Sequence, residues 1–231
     1  MTTAVLTIAA LAGCGADGED RAGTVGQPTG AGTVGQSTGA APAQPGAGSY
    51  SADQVKAALL TVADLPTGWS AEPDDGSAPE DASENYAECP EFAAVVKKAA
   101  GVEQLDADFK SPAGTSLDET IMTLNESGAR DLVAGYAKGV AACPKLTTKT
   151  DGGTTFDMYM TALSFPKLAD ETVAHRVTAE VSGTTVNLDM VLVRRGGVVI
   201  TLVQTATGVI DTAVTEDVAR RALTKAEKAL S

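Results

Sequence analysis

The chain has 231 residues, 43% of them hydrophobic but only 4% aromatic, and a formal net charge of −13. Its length suits one or two domains, and its charge disfavours nucleic acid and anionic lipid surfaces as partners. No apolar run approaches the ~18 residues needed to span a bilayer, and with so few aromatics the core must rest on Val, Leu, Ile, Ala and Met.

The first feature along the chain is an apolar run, 4–11, that ends in Leu11-Ala12-Gly13-Cys14. This matches the lipobox that precedes cleavage in bacterial lipoprotein signal peptides. Residues 1–13 are then a signal peptide, and Cys14 is the lipidated first residue that anchors the chain to the outer face of the cytoplasmic membrane. No Lys or Arg precedes Cys14, whereas signal peptides usually start basic. The expectation is that translation starts further upstream, which the in-frame codons would show. The alternative is an ordinary N-terminus that happens to contain a cysteine.

Residues 14–49 are rich in Gly, Ala, Thr, Pro, Gln and Ser and contain a direct repeat, Gly23 to Ala31 followed by Gly32 to Ala40. Such a composition buries too little apolar surface to offset its ordering entropy. It reads as a disordered tether of ~34 residues with a mean reach of about 30 Å. Gly30 to Gly35 fits G-x-G-x-x-G and Gly35 to Gly39 fits G-x-S-x-G. Both motifs need a strand before and a helix after them, and neither flank has that pattern.

Order is expected from Tyr50, in a single domain spanning 50–231. Ser51 and Gln54 make a capping box, Tyr50 and Val55 a hydrophobic staple, and a helix follows over about 52–60. Pro66 and Gly68 mark a turn before Trp69, the only tryptophan. Residues 72–88 are acidic without calcium-loop spacing, so they read as a solvated loop. Pro90 opens a helix that runs to about Gly101. Strands are expected near 106–110 and 117–124, then a helix from about Ser127 that Pro144 terminates. Asn125-Glu126-Ser127 matches a glycosylation sequon. The remainder alternates as strands 154–165, 172–182, 185–195 and 198–207, joined by glycine turns, before a final helix over 212–229. Strand 198–207 begins apolar on both faces. The expected fold is therefore α+β: an antiparallel meander with helices on both faces.

Three cysteines are present. With Cys14 lipidated, Cys89 and Cys143 remain as one disulfide pair. Closing a loop of about 54 residues would restrict the unfolded chain by roughly 4 kcal/mol in the entropy model.

The segment Ala58 to Trp69, the pair Cys89 and Cys143, Asp170 to Arg176, and Val191 to Ile200 together resemble the PknH-type extracellular sensor domain. That family occurs as kinase ectodomains and free lipoproteins in actinobacteria, and the Mog1/PsbP-like fold is a relative with a similar order of elements. The resemblance covers residues 50–231. It implies an antiparallel sheet flanked by helices, a cleft, and ligand binding without catalysis. The kinase ectodomain has two disulfides, where Cys89 and Cys143 allow one.

Trp69, His175 and Arg194 are the candidate ligand contacts. Each also has a structural role open to it: Trp69 as a core anchor, His175 as a hydrogen-bonded core residue, Arg194 as a solvated charge at a hairpin end. One histidine and a disulfide pair cannot ligate zinc, and no pattern calls for a metal or cofactor. The reading that results is a non-enzymatic envelope lipoprotein that binds or senses a small molecule or lipid. The alternatives are a protein-interaction module, or a hydrolase that would need a Ser or Asp beside His175.

Overall fold

The computed structural model describes residues 50–73, 86–149 and 155–231. Residues 1–49, with Cys14 and the tether, lie outside these, as do most of the acidic loop and the 151–153 turn. No helix among the described residues is long and apolar enough to cross a membrane.

Helix α1 (Ala52–Ala58) starts at the expected capping box. Gln54 N–H donates to Ser51 Oγ at 3.3 Å, and Ser51 N–H donates back to Gln54 Oε1 at 3.0 Å. The helix stops earlier than expected. Leu59 is extended, and Leu60 N–H donates to the Glu119 carboxylate at 2.5 Å instead of continuing the helical ladder. A 3-10 turn follows at Val62–Asp64, then a two-residue strand β1 (Ser70–Ala71).

Helix α2 (Pro90–Ala100) has Cys89 as its N-cap, and helix α3 (Glu126–Ala142) ends at Cys143. Asn125 caps α3 by accepting from Gly128 N–H at 2.7 Å, so the helix begins one residue earlier than read. The sequon asparagine thus serves as a helix cap.

The strands are β2 (Gln104–Lys110), β3 (Ser116–Thr123), β4 (Lys145–Lys149), β5 (Thr155–Ala162), β6 (Glu171–Val181), β7 (Thr184–Arg195) and β8 (Val198–Thr207). They form one antiparallel sheet in the order β1-β2-β3-β8-β7-β6-β5-β4. The expected meander is present as β5 through β8; the unexpected strand β4 adds to its β5 edge, and β1–β3 extend it along the free edge of β8. Helix α3 carries the chain from β3 across one face to the opposite edge. Helix α4 (Thr212–Ala229) closes the domain.

Alternation along β8 shows why both faces need cover. Val198, Ile200 and Leu202 join one core, with α1 and α4 above it. Val199 points into the other, beneath α2 and α3. The fold is α+β with helices on both faces, as the sequence indicated.

Candidate ligand-binding cleft

Helices α2 and α3 are drawn together at one end. The Cys89–Cys143 disulfide joins the start of α2 to the end of α3, with the Cα atoms 6.1 Å apart. Nearby, a Cβ added at Gly139 would lie 3.0 Å from the Phe92 backbone, so glycine lets α3 cross this close to α2 without pushing it back. At the other end, α2 presents Ala99 and Ala100 toward the sheet, where larger side chains would fill the space. What they leave is a cleft of about 230 Å³.

Its floor is a shelf of hydroxyls in an apolar frame. Thr120 of β3 pairs with Thr201 of β8, and Thr201 pairs with Leu192 of β7. Met122, Met190 and Leu192 flank them, Val95 and Leu132 form walls, and Gln104 adds an amide at the edge. The lining contains no Asp, Glu, Lys, Arg or His. A water-excluding pocket with a few placed polar groups is the usual form of a small-molecule site.

Tyr136 closes the inner end. Its hydroxyl lies 2.9 Å from His175 Nε2 and donates to Met190 Sδ at 2.6 Å. A neutral His175 with its proton on Nε2 donates to the Tyr136 oxygen and leaves the hydroxyl proton for sulfur, which satisfies both bonds. The surroundings enforce that neutrality. Burial lowers the His175 pKa to about 4 against the opposing influence of Asp189, and burial also holds the Tyr136 hydroxyl well above its ordinary range. His175 therefore stands behind Tyr136 as a support for the cleft wall. Its hydrogen-bond partner is a tyrosine rather than the Ser or Asp that hydrolysis would need.

The three candidate contacts are not brought together. Trp69 is half-buried against the core under α1 and α4, on the opposite side of the sheet from His175. Arg194 corrects the reading of a solvated hairpin charge: its side chain is only 7% exposed. It donates to Glu171 at 2.5 Å and to Gly196 O at 3.0 Å, with Asp170 at 3.4 Å. Glu171 stands directly across from Arg194 in the β6–β7 ladder, so register delivers the partner. Arg195 is the exposed member, paired with Glu227 at 3.3 Å. None of the three lines the cleft.

A second hollow, of about 370 Å³, sits at the β7–β8 hairpin end. Its rim mixes Arg195, Glu227, Asp170 and Glu126 with Leu223 and Leu230, and charges already in ion pairs make it a weaker host for an apolar ligand. Among the described residues, the metal-ligating types converge only at Cys89, Glu91 and Cys143, and there both sulfurs are spent in the disulfide.

No known family profile and no curated protein matches this sequence. Among solved structures, the extracellular domain of PknH from Mycobacterium tuberculosis superposes with a TM-score of 0.54 at 13% identity, covering 81% of this chain and 98% of that one. The fold is that of the PknH extracellular domain. An uncharacterised protein from Mycobacterium smegmatis, an Rv0999 ortholog, gives a TM-score of 0.36 at 12% identity over 70% of this chain and 78% of its own. The resemblance was drawn from Ala58–Trp69, the Cys89 and Cys143 pair, Asp170–Arg176 and Val191–Ile200. The cleft residues Ala99, Ala100, Thr120 and Thr201 were not among those segments. The available signal was small and hydroxylic residues at inward-facing positions.

Proposed function

We propose that this protein is a lipid-anchored, extracytoplasmic binding protein that holds a small apolar molecule in the cleft between α2, α3 and the sheet. The cleft is the observation that carries this reading. Its volume of about 230 Å³ lies below the roughly 300–1,000 Å³ of drug-sized pockets, so the occupant has one chain or one ring system. Support for the compartment comes from the Leu11 to Cys14 lipobox, from the Cys89–Cys143 disulfide, which belongs in oxidising surroundings, and from a fold found in an extracellular domain. Among the described residues, the exposed large hydrophobics Val62, Tyr159 and Val209 lie apart, in the 3-10 turn, on β5 and in the β8–α4 connection, an arrangement that does not favour a docking patch.

The test is fluorescence titration with the neutral, single-ring-system probe 6-propionyl-2-(dimethylamino)naphthalene, in the wild type and in Ala99→Trp. The indole would occupy the cleft, so saturable enhancement in the wild type should be lost in the variant while its circular dichroism stays unchanged. Equal enhancement in both proteins, or none in the wild type, would overturn the proposal.

A further inference from the structure

The floor of the cleft holds two hydroxyls that the fold does not use. Thr120 on β3 and Thr201 on β8 are direct partners in the ladder, so they share a face with Cβ atoms about 5 Å apart. Both are half-buried and both line the cleft. Two opposed polar pairs elsewhere in the sheet bond to each other. Thr178 donates to Asn187 at 2.7 Å across β6–β7, and Thr147 to Asp157 at 3.0 Å across β4–β5. The Thr120 and Thr201 side chains make no hydrogen bond to each other or to any other described residue. The third hydroxyl of the lining, on Tyr136, is already committed to His175 and Met190.

From this arrangement we infer that the occupant of the cleft is an uncharged molecule with one carbonyl group, whose oxygen accepts from both Thr120 and Thr201. This inference rests on the cleft being a binding site and adds the chemical class of the ligand. A wholly apolar occupant would strip water from the two hydroxyls and leave both donors unpaired, which opposes binding. A carbonyl oxygen has two lone pairs and no proton of its own to place, which suits two facing donors. An ionic head fits less well. No charged residue lines the cleft, so a desolvated charge there would lack a counterion. Asp106, directly across from Thr120 in the β2–β3 ladder, adds repulsion against an anion.

The test uses single-ring ligands that differ in one group: acetophenone, ethylbenzene, benzoate and benzylammonium. Each is titrated calorimetrically into the full chain, as wild type, as Thr120→Val/Thr201→Val and as Thr120→Ser/Thr201→Ser. Valine keeps the β-branched shape and removes both hydroxyls, whereas serine keeps the hydroxyls and removes the methyls. Acetophenone should bind the valine variant about tenfold or more weakly than the wild type, as loss of partners for a buried carbonyl implies. Ethylbenzene should bind that variant as tightly as the wild type or more tightly. The serine variant should hold acetophenone to within about threefold of the wild type, because its donors remain. Benzoate and benzylammonium should bind the wild type more weakly than acetophenone. The inference fails, while the cleft stands, if valine substitution weakens acetophenone no more than ethylbenzene, if serine substitution weakens it as much as valine does, or if either ion binds as tightly as the ketone. Failure of all four ligands to bind overturns the cleft reading and the inference with it.

Discussion

Glu119 offers the sharpest energetic test of this fold. It lies on β3 between Leu117 and Ile121, facing the core under α1 and α4, and is 0% exposed. One carboxylate oxygen accepts from Leu60 N–H, and the other has no partner. Burial raises its pKa from 4.5 to about 7, with the Leu60 amide and Lys225 opposing and Asp64 adding to the rise. Below pH 4.5 the group is neutral both folded and unfolded, and burial carries no ionisation cost. Between 4.5 and about 7 the unfolded chain releases a proton that the fold retains, so stability falls as pH rises. Above about 7 the loss is complete, at roughly 3 kcal/mol. Glu119→Gln keeps the carbonyl that Leu60 needs and removes the charge. Its stability should match the wild type near pH 4.5 and exceed it by about 3 kcal/mol at pH 8, which is about 6–12 °C in Tm for a domain of this size. Thermal or urea unfolding followed by circular dichroism across pH 4.5 to 8 measures the difference directly. The comparison with the wild type also cancels the opposite trend from His175, whose depressed pKa costs stability as pH falls from 6.5 toward 4. Parallel stability curves for the two proteins would refute the assignment of a buried, titrating Glu119.

Two further outcomes are expected. Reducing the Cys89–Cys143 bridge, or replacing both residues with Ser, should cost roughly 4 kcal/mol of stability in the entropy model, and unfolding midpoints of oxidised and reduced protein that coincide would exclude a stabilising role. Cys14→Ser should move the protein from the detergent phase to the aqueous phase of a phase-partition assay of expressing cells, and a wild type already aqueous would contradict lipid anchoring.

The sequence made the layered architecture legible where alternation was strong. The doubly apolar start of β8 called for helices on both faces, and Val198, Val199 and Ile200 bear that out. Strand β4 escaped notice because Leu146 is the only apolar residue in Lys145–Lys149, and β1 is too short to carry a period. The setting of Arg194 depends on Glu171, which the β6–β7 register brings opposite it, a contact that local pattern cannot report. The cleft was hidden for another reason. Hydrophobic patterning marks the side chains that fill space, whereas this cleft exists because Ala99 and Ala100 leave space unfilled. Glu119 could have been found, since it breaks the inward row of Leu117 and Ile121 with an acid.

The placement of α1 also has a mechanical consequence. Tyr50, just before α1, and Ser231, at the chain end, line the same hollow, so the described domain begins and ends at one pole. The helix adds no strand to the sheet. It is held by Val55 and Ala58 in the core it shares with α4, by the Leu60–Glu119 bond, and through the following turn by Lys225 on Asp64. Tension arriving along the chain before Tyr50 therefore peels α1 from its seat before it loads the strand ladder. A pull applied before Tyr50 would thus meet α1 before the strand ladder and the disulfide-pinned cleft on the other face.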